Sequence, residues 1–197
     1  MALVLEAVRP MWKSRVRYTG AIGFLAAGIV AHVLFLVFVG RDEMSSGQGV
    51  FASWFDWSLI ASLVLVGATF GLVVRRPQNT VGVFFLPLVL GLIGVAHLCR
   101  DMEPFHGQQA IAPWRIIHGA ALLIGTVSVV LGFATGLMFL VQSSRLKNKR
   151  LPSSGLRLPS LEWLQRFNRE ALFLSALMLG IGLVSGIVLA TRPGHTM

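Results

Sequence analysis

The sequence predicts an all-α protein, a polytopic membrane helix bundle of about five transmembrane helices. Three observations carry that reading. Of 197 residues, 55% are hydrophobic and only 13% charged, where a soluble domain has roughly 45–50% and about 25%. The apolar residues gather into uncharged runs close to the 20 or so that cross a bilayer. Lys and Arg then alternate between the runs, as they do between the two sides of a membrane. A soluble enzyme, a disordered chain and a disulfide-stapled module are excluded. The lone Cys99 leaves no internal disulfide and no CxxC site.

Residues 1–19 form a basic N-terminal segment carrying Arg9, Lys13, Arg15 and Arg17. The first span runs from about Gly20 to Val39 and reads as an uncleaved signal anchor, because no A-x-A site follows it. A Gly- and Ser-containing loop, Arg41 to Asp56, leads to the second span, Trp57 to Val74. The third span is Thr80 to Leu98, with Pro87 expected to kink it. The fourth, Trp114 to Val141, is long enough to tilt or project beyond the lipid. Residues 142–170 form a linker that begins basic and flexible. Ser160 then offers a helix cap, Glu162 sits in the first turn, and Leu161, Leu164 and Phe167 recur on one face. Two readings stand for 158–170: an amphipathic helix lying on the membrane, or an extension of the fifth span, Ala171 to Ala190. Residues 191–197 are a short tail.

Orientation follows from the basic residues. The N-terminal segment, the second loop (Arg75, Arg76) and the fourth loop (Arg145, Lys147, Lys149, Arg150, Arg157, Arg166, Arg169) hold thirteen, and the opposite side holds Arg41, Arg100, Arg115 and Arg192. The N-terminus is therefore expected in the cytoplasm and the C-terminus outside. The net charge of +9 thus has a topological cause, and no nucleic-acid partner is needed. Trp12 and Trp163 fall at the inner boundary, and Trp54, Trp57 and Trp114 at the outer one.

Three GxxxG pairs, Gly67/Gly71, Gly132/Gly136 and Gly182/Gly186, permit close helix approach in lipid. They suit either an interface with a partner or packing within the bundle. The five histidines, His32, His97, His106, His118 and His195, all fall on the expected outer side. His32 and His118 lie inside spans, where an ionisable group suggests function and neutral imidazole is a haem ligand. Two histidines on neighbouring helices can clamp a haem near the outer leaflet. No Ser/His/Asp arrangement, phosphate-binding glycine loop or mid-span acid accompanies them.

Several segments together resemble the cytochrome c assembly protein family, in its CcsA and HemX-like branches. They are Phe55-Asp-Trp-Ser-Leu59, Val81-Gly-Val-Phe-Phe-Leu-Pro87, Trp114-Arg-Ile-Ile-His118, Arg145-Leu-Lys-Asn-Lys149, Leu158-Pro-Ser-Leu-Glu-Trp-Leu-Gln-Arg-Phe-Asn168 and Leu179-Gly-Ile-Gly-Leu-Val-Ser-Gly186. The similarity covers most of residues 20–190 and is strongest over 114–190. It implies haem binding or delivery at the outer face of the cell (inner) membrane during cytochrome c maturation. His118 would then be a haem-iron ligand and His32 a second cofactor contact. Other assembly proteins and apocytochrome c would be partners beside the lipid bilayer. Family members continue past the fifth span with a Trp-x-Trp-Asp loop, further spans and another outer histidine, whereas this chain reaches Met197 after Thr191-Arg-Pro-Gly-His195. Independent catalysis is therefore not expected. The other reading of the residues is a non-catalytic helical subunit or assembly scaffold.

Overall fold

A computed structural model describes residues 15–45, 53–75, 80–102, 112–148 and 158–191. Among them lie five α-helices and no strand: α1 (Arg15–Ser45), α2 (Trp54–Arg75), α3 (Gly82–Leu98), α4 (Ala112–Lys147) and α5 (Leu161–Thr191). Four are long and apolar enough to cross a membrane, and α3, at 17 residues, is shorter. At 1.5 Å per residue α3 spans about 26 Å, a little under a typical hydrocarbon core of about 30 Å. The fold is the expected polytopic membrane bundle. Trp12, His106, His195 and the Pro152–Gly155 stretch lie outside the described residues.

The helices run past the apolar runs that predict them. α1 continues through Arg41, Asp42 and Glu43, because a charge ends a stay in lipid without ending a helix. α2 begins before Trp57. Ser53 Oγ accepts from Asp56 N–H at 3.2 Å, and Asp56 Oδ2 accepts from Ser53 N–H at 3.0 Å. This reciprocal cap satisfies two N–H groups at the helix start. Asp56 is thus a wholly buried first-turn residue of α2 and not a loop residue. Its Oδ1 has no hydrogen-bond partner among the described residues. α3 continues through Pro87. α5 runs unbroken from Leu161, so the segment ahead of Ala171 extends the last helix.

Packing is uneven. α1 leans chiefly on α2, and α2 packs on α3 and α4. Leu65, Val73, Val81, Phe85, Ala134, Met138 and Leu164 form one core drawn from α2, the α3 start, α4 and α5. The closest partnership is α4 with α5. These two run antiparallel with knobs set against glycines. Leu172 lies over Gly132, Leu179 over Gly125, Leu122 over Gly182 and the His118 ring over Gly186, and Asn168 faces both Gly132 and Gly136. On α5 the seam residues are Asn168, Leu172, Ser175, Leu179, Gly182 and Gly186, spaced alternately by four and three as in a coiled coil. Glycine lets the two backbones close up, and dispersion across the contact replaces a hydrophobic effect that lipid does not supply.

Gly132/Gly136 and Gly182/Gly186 therefore serve packing within the bundle. Gly67 and Gly71 have open space where a side chain would stand. A methyl on Gly182 would sit 2.8 Å from Leu122 Cδ2. Gly182→Leu is expected to destabilise the bundle by about 1–3 kcal/mol, while Gly67→Leu changes stability by under about 0.5 kcal/mol. Denaturant unfolding of both variants in one detergent measures the difference, and equal losses would refute the seam.

Candidate functional site

Lipid offers no hydrogen bonds, so each buried polar group must find a partner within the bundle. Most hydroxyls do so on their own helix. Ser128 donates to Ile124 O at 2.7 Å, Thr69 to Leu65 O at 2.7 Å, and Ser175 to Leu172 O at 2.8 Å. Thr135 lies 2.9 Å from Leu131 O and 3.0 Å from Gly132 O. These serines and threonines are structural. The two in-span histidines behave differently, because each bonds to a neighbouring helix.

His118 stands on α4 against α5. Its Nδ1 lies 2.8 Å from Gly182 O and 3.2 Å from Ser185 Oγ. A carbonyl only accepts, so Nδ1 carries the proton and Nε2 keeps its lone pair. Ser185 Oγ itself lies 2.8 Å from Ile181 O and 2.9 Å from Gly182 O, so its proton is held on α5. The bond is available because Gly182 and Gly186 bring the α5 backbone up to the ring. A side chain at Gly186 would meet His118 Cε1 at 3.0 Å.

An open apolar groove of about 390 Å³ lies along this seam. His118, Leu122, Leu179, Leu183, Ile187 and Ala190 line it beside the two glycines. Leu183 and Ile187 are 66% and 55% exposed, so the groove opens outward on the face that meets lipid. Among the described residues, His118 is the one nitrogen ligand in its wall. A metal-bound histidine commonly donates its other ring N–H to a carbonyl, which fixes tautomer and ring orientation. His118 already has that arrangement.

His32 stands elsewhere. Its Nε2 lies 3.3 Å from Ser62 Oγ on α2, and Ser62 donates its single proton to Leu59 O at 2.8 Å. Nε2 of His32 must therefore carry the proton, the opposite tautomer to His118. Around it Phe35 meets Phe55 edge-on at 6.4 Å, and Leu36 packs with Leu59 and Ala96. His32 thus ties α1 to α2, and His118 ties α4 to α5. The structure does not bring the two into one site. His97 is exposed at the end of α3. Among the described residues no group of three or more His, Cys, Asp or Glu side chains is placed to hold a metal ion.

Asp56 is the residue that sequence reasoning leaves in a loop, and the Ser53-x-x-Asp56 spacing is the signal that reveals it. For His32, a double-mutant cycle of His32→Ala and Ser62→Ala is expected to show a coupling of about 0.6 kcal/mol in unfolding free energy. Strict additivity would remove the interhelical tie. Comparisons with protein-family models, with curated proteins and with solved structures find no match to this chain.

Proposed function

We propose that this chain is a membrane protein of cytochrome c maturation that binds haem, or passes it on, at the His118 groove near the outer membrane face. One observation carries the reading: the His118 Nδ1–H bond to Gly182 O, at 2.8 Å, leaves Nε2 as the unengaged ring nitrogen among the described residues, and His118 lines an open apolar groove. The fit is in the donor set. A neutral imidazole suits haem iron, and leucine and isoleucine walls suit the faces of a porphyrin. Haem, when bound, supplies the redox-active iron. The chain's own residues hold and orient it: His118 through Nε2, Ser185 and Gly182 by fixing the ring, and Leu122, Leu179, Leu183 and Ile187 by excluding water. His32 stands on α1 against α2, outside the residues that line this groove, and would not help to hold the group there. The resemblance to the cytochrome c assembly family supports the reading, with apocytochrome c and other assembly proteins as partners.

In detergent, the purified chain is expected to shift the Soret band of added haem, and His118→Ala is expected to abolish the shift while His32→Ala retains it. A wild-type protein that leaves the band unmoved would overturn haem binding.

The proposed orientation places the N-terminus in the cytoplasm of a cell with this protein in its inner membrane, supported by the thirteen-to-four distribution of Lys and Arg. Cys99, the sole cysteine, follows the end of α3 and is half-buried. In intact spheroplasts a membrane-impermeant maleimide is expected to label it. Labelling only after lysis would invert the topology.

A second reading has an observation of its own. Gly67 and Gly71 on α2 have nothing within 4 Å of where a side chain would stand. A scaffold or helical subunit would receive a partner's transmembrane helix on that face, and Gly67→Leu would then release the partner without unfolding this chain.

A further inference from the structure

The ring of His118 accounts for one end of the groove, and the α4 residues beyond it supply a second kind of chemistry. Arg115 lies in the first turn of α4, three residues before His118. At about 100° per residue it is rotated about 60° from His118, to the same side as Leu122, which is rotated about 40°. It also stands about 4.5 Å nearer the helix start. Arg115 therefore lies on the His118–Leu122 side of α4, one turn ahead of the residues that line the groove. It is half-buried, and no carboxylate among the described residues pairs with it. The N-terminal end of the α4 dipole adds positive potential at the same place. Cationic end, imidazole nitrogen and apolar wall thus follow one another along a single face.

We infer that the groove takes a membrane-dissolved amphiphile bearing a carboxylate beside an apolar body, with Arg115 receiving the carboxylate while His118 Nε2 reaches the body. The inference rests on the haem reading for the identity of that body, and haem carries two carboxylates on one edge. A guanidinium binds a carboxylate through two parallel N–H bonds, which fixes direction as well as strength. The carboxylate edge then faces the α4 N-terminal end of the seam. The apolar edge lies along Leu183 and Leu179, deeper in the groove. Among the described residues no carboxylate offers Arg115 a counter-ion, and that favours an anionic ligand. Arg115 is in this account a specificity residue, and His118 is the ligand to the iron.

The test compares iron protoporphyrin IX with its dimethyl ester, in which both carboxylates are neutral, by Soret titration of the full chain in neutral detergent. The wild-type protein is expected to bind the free acid about tenfold more tightly than the ester. Arg115→Gln is expected to bind both alike, at the wild-type affinity for the ester, and Arg115→Lys to restore part of the preference. A variant that merely unfolds would lose both ligands, so equal retained binding separates specificity from damage. If the wild-type protein shifts the Soret band equally for acid and ester, the role of Arg115 is overturned and haem ligation by His118 stands. If neither porphyrin shifts the band, haem binding itself fails, and this inference fails with it.

Discussion

The bundle depends on the fit of large side chains against glycines along the α4–α5 seam. In lipid, apolar surface gains nothing by leaving its solvent, so helices associate only where packing or polar bonds exceed what acyl chains offer. Leu172, Leu179 and Leu122 each find a glycine opposite, and the four-three spacing from Asn168 to Gly186 keeps the α5 seam in register over about five turns of helix. Other contacts are less extensive. α1 is held by the His32–Ser62 bond, one aromatic pair and a few aliphatic contacts. The seam is the most extensive helix contact among the described residues, and the candidate site lies at one end of it.

That placement has a chemical consequence. A histidine in a membrane needs a partner for its N–H, and a helix interior hides its carbonyls behind side chains. Gly182 exposes its own carbonyl to the neighbouring helix because it has no side chain, and Gly186 leaves room for the ring. The glycines that pack the helices therefore also select the His118 tautomer. Ser62 selects the other tautomer at His32, where Nε2 is the bonded nitrogen. Two residues alike in the sequence tie two different pairs of helices through opposite ring nitrogens. The difference lies in which ring nitrogen each neighbouring helix engages.

Much of the architecture was legible because lipid imposes a simple rule on composition. The five apolar runs located five helices, and no strand interrupts them among the described residues. Helix ends were less legible, since Arg41, Asp42 and Glu43 continue α1 and Asp56 begins inside α2. Small-residue motifs announced close approach but not the partner: Gly182/Gly186 meets α4, whereas Gly67/Gly71 meets nothing. The spacing from Asn168 to Gly186 held part of the missing information, because a heptad-like stripe implies a long helical mate. His118 and His32 were legible as in-span imidazoles. Their separation was not, because it depends on which helices adjoin in space, and local patterns leave that order open. Bilayer contact follows from the apolar helices alone.

The α4–α5 seam holds His118 with its proton on Nδ1 and a lone pair on Nε2. Nitrogen-15 NMR of the histidine side chains, with the His118 signals identified by their absence in His118→Gln, reads that tautomer directly at a pH where the ring is neutral. A protonated Nδ1 and an unprotonated Nε2 are expected for His118. A proton on Nε2 would contradict this assignment, because Gly182 O would then have no donor and the groove no ligand.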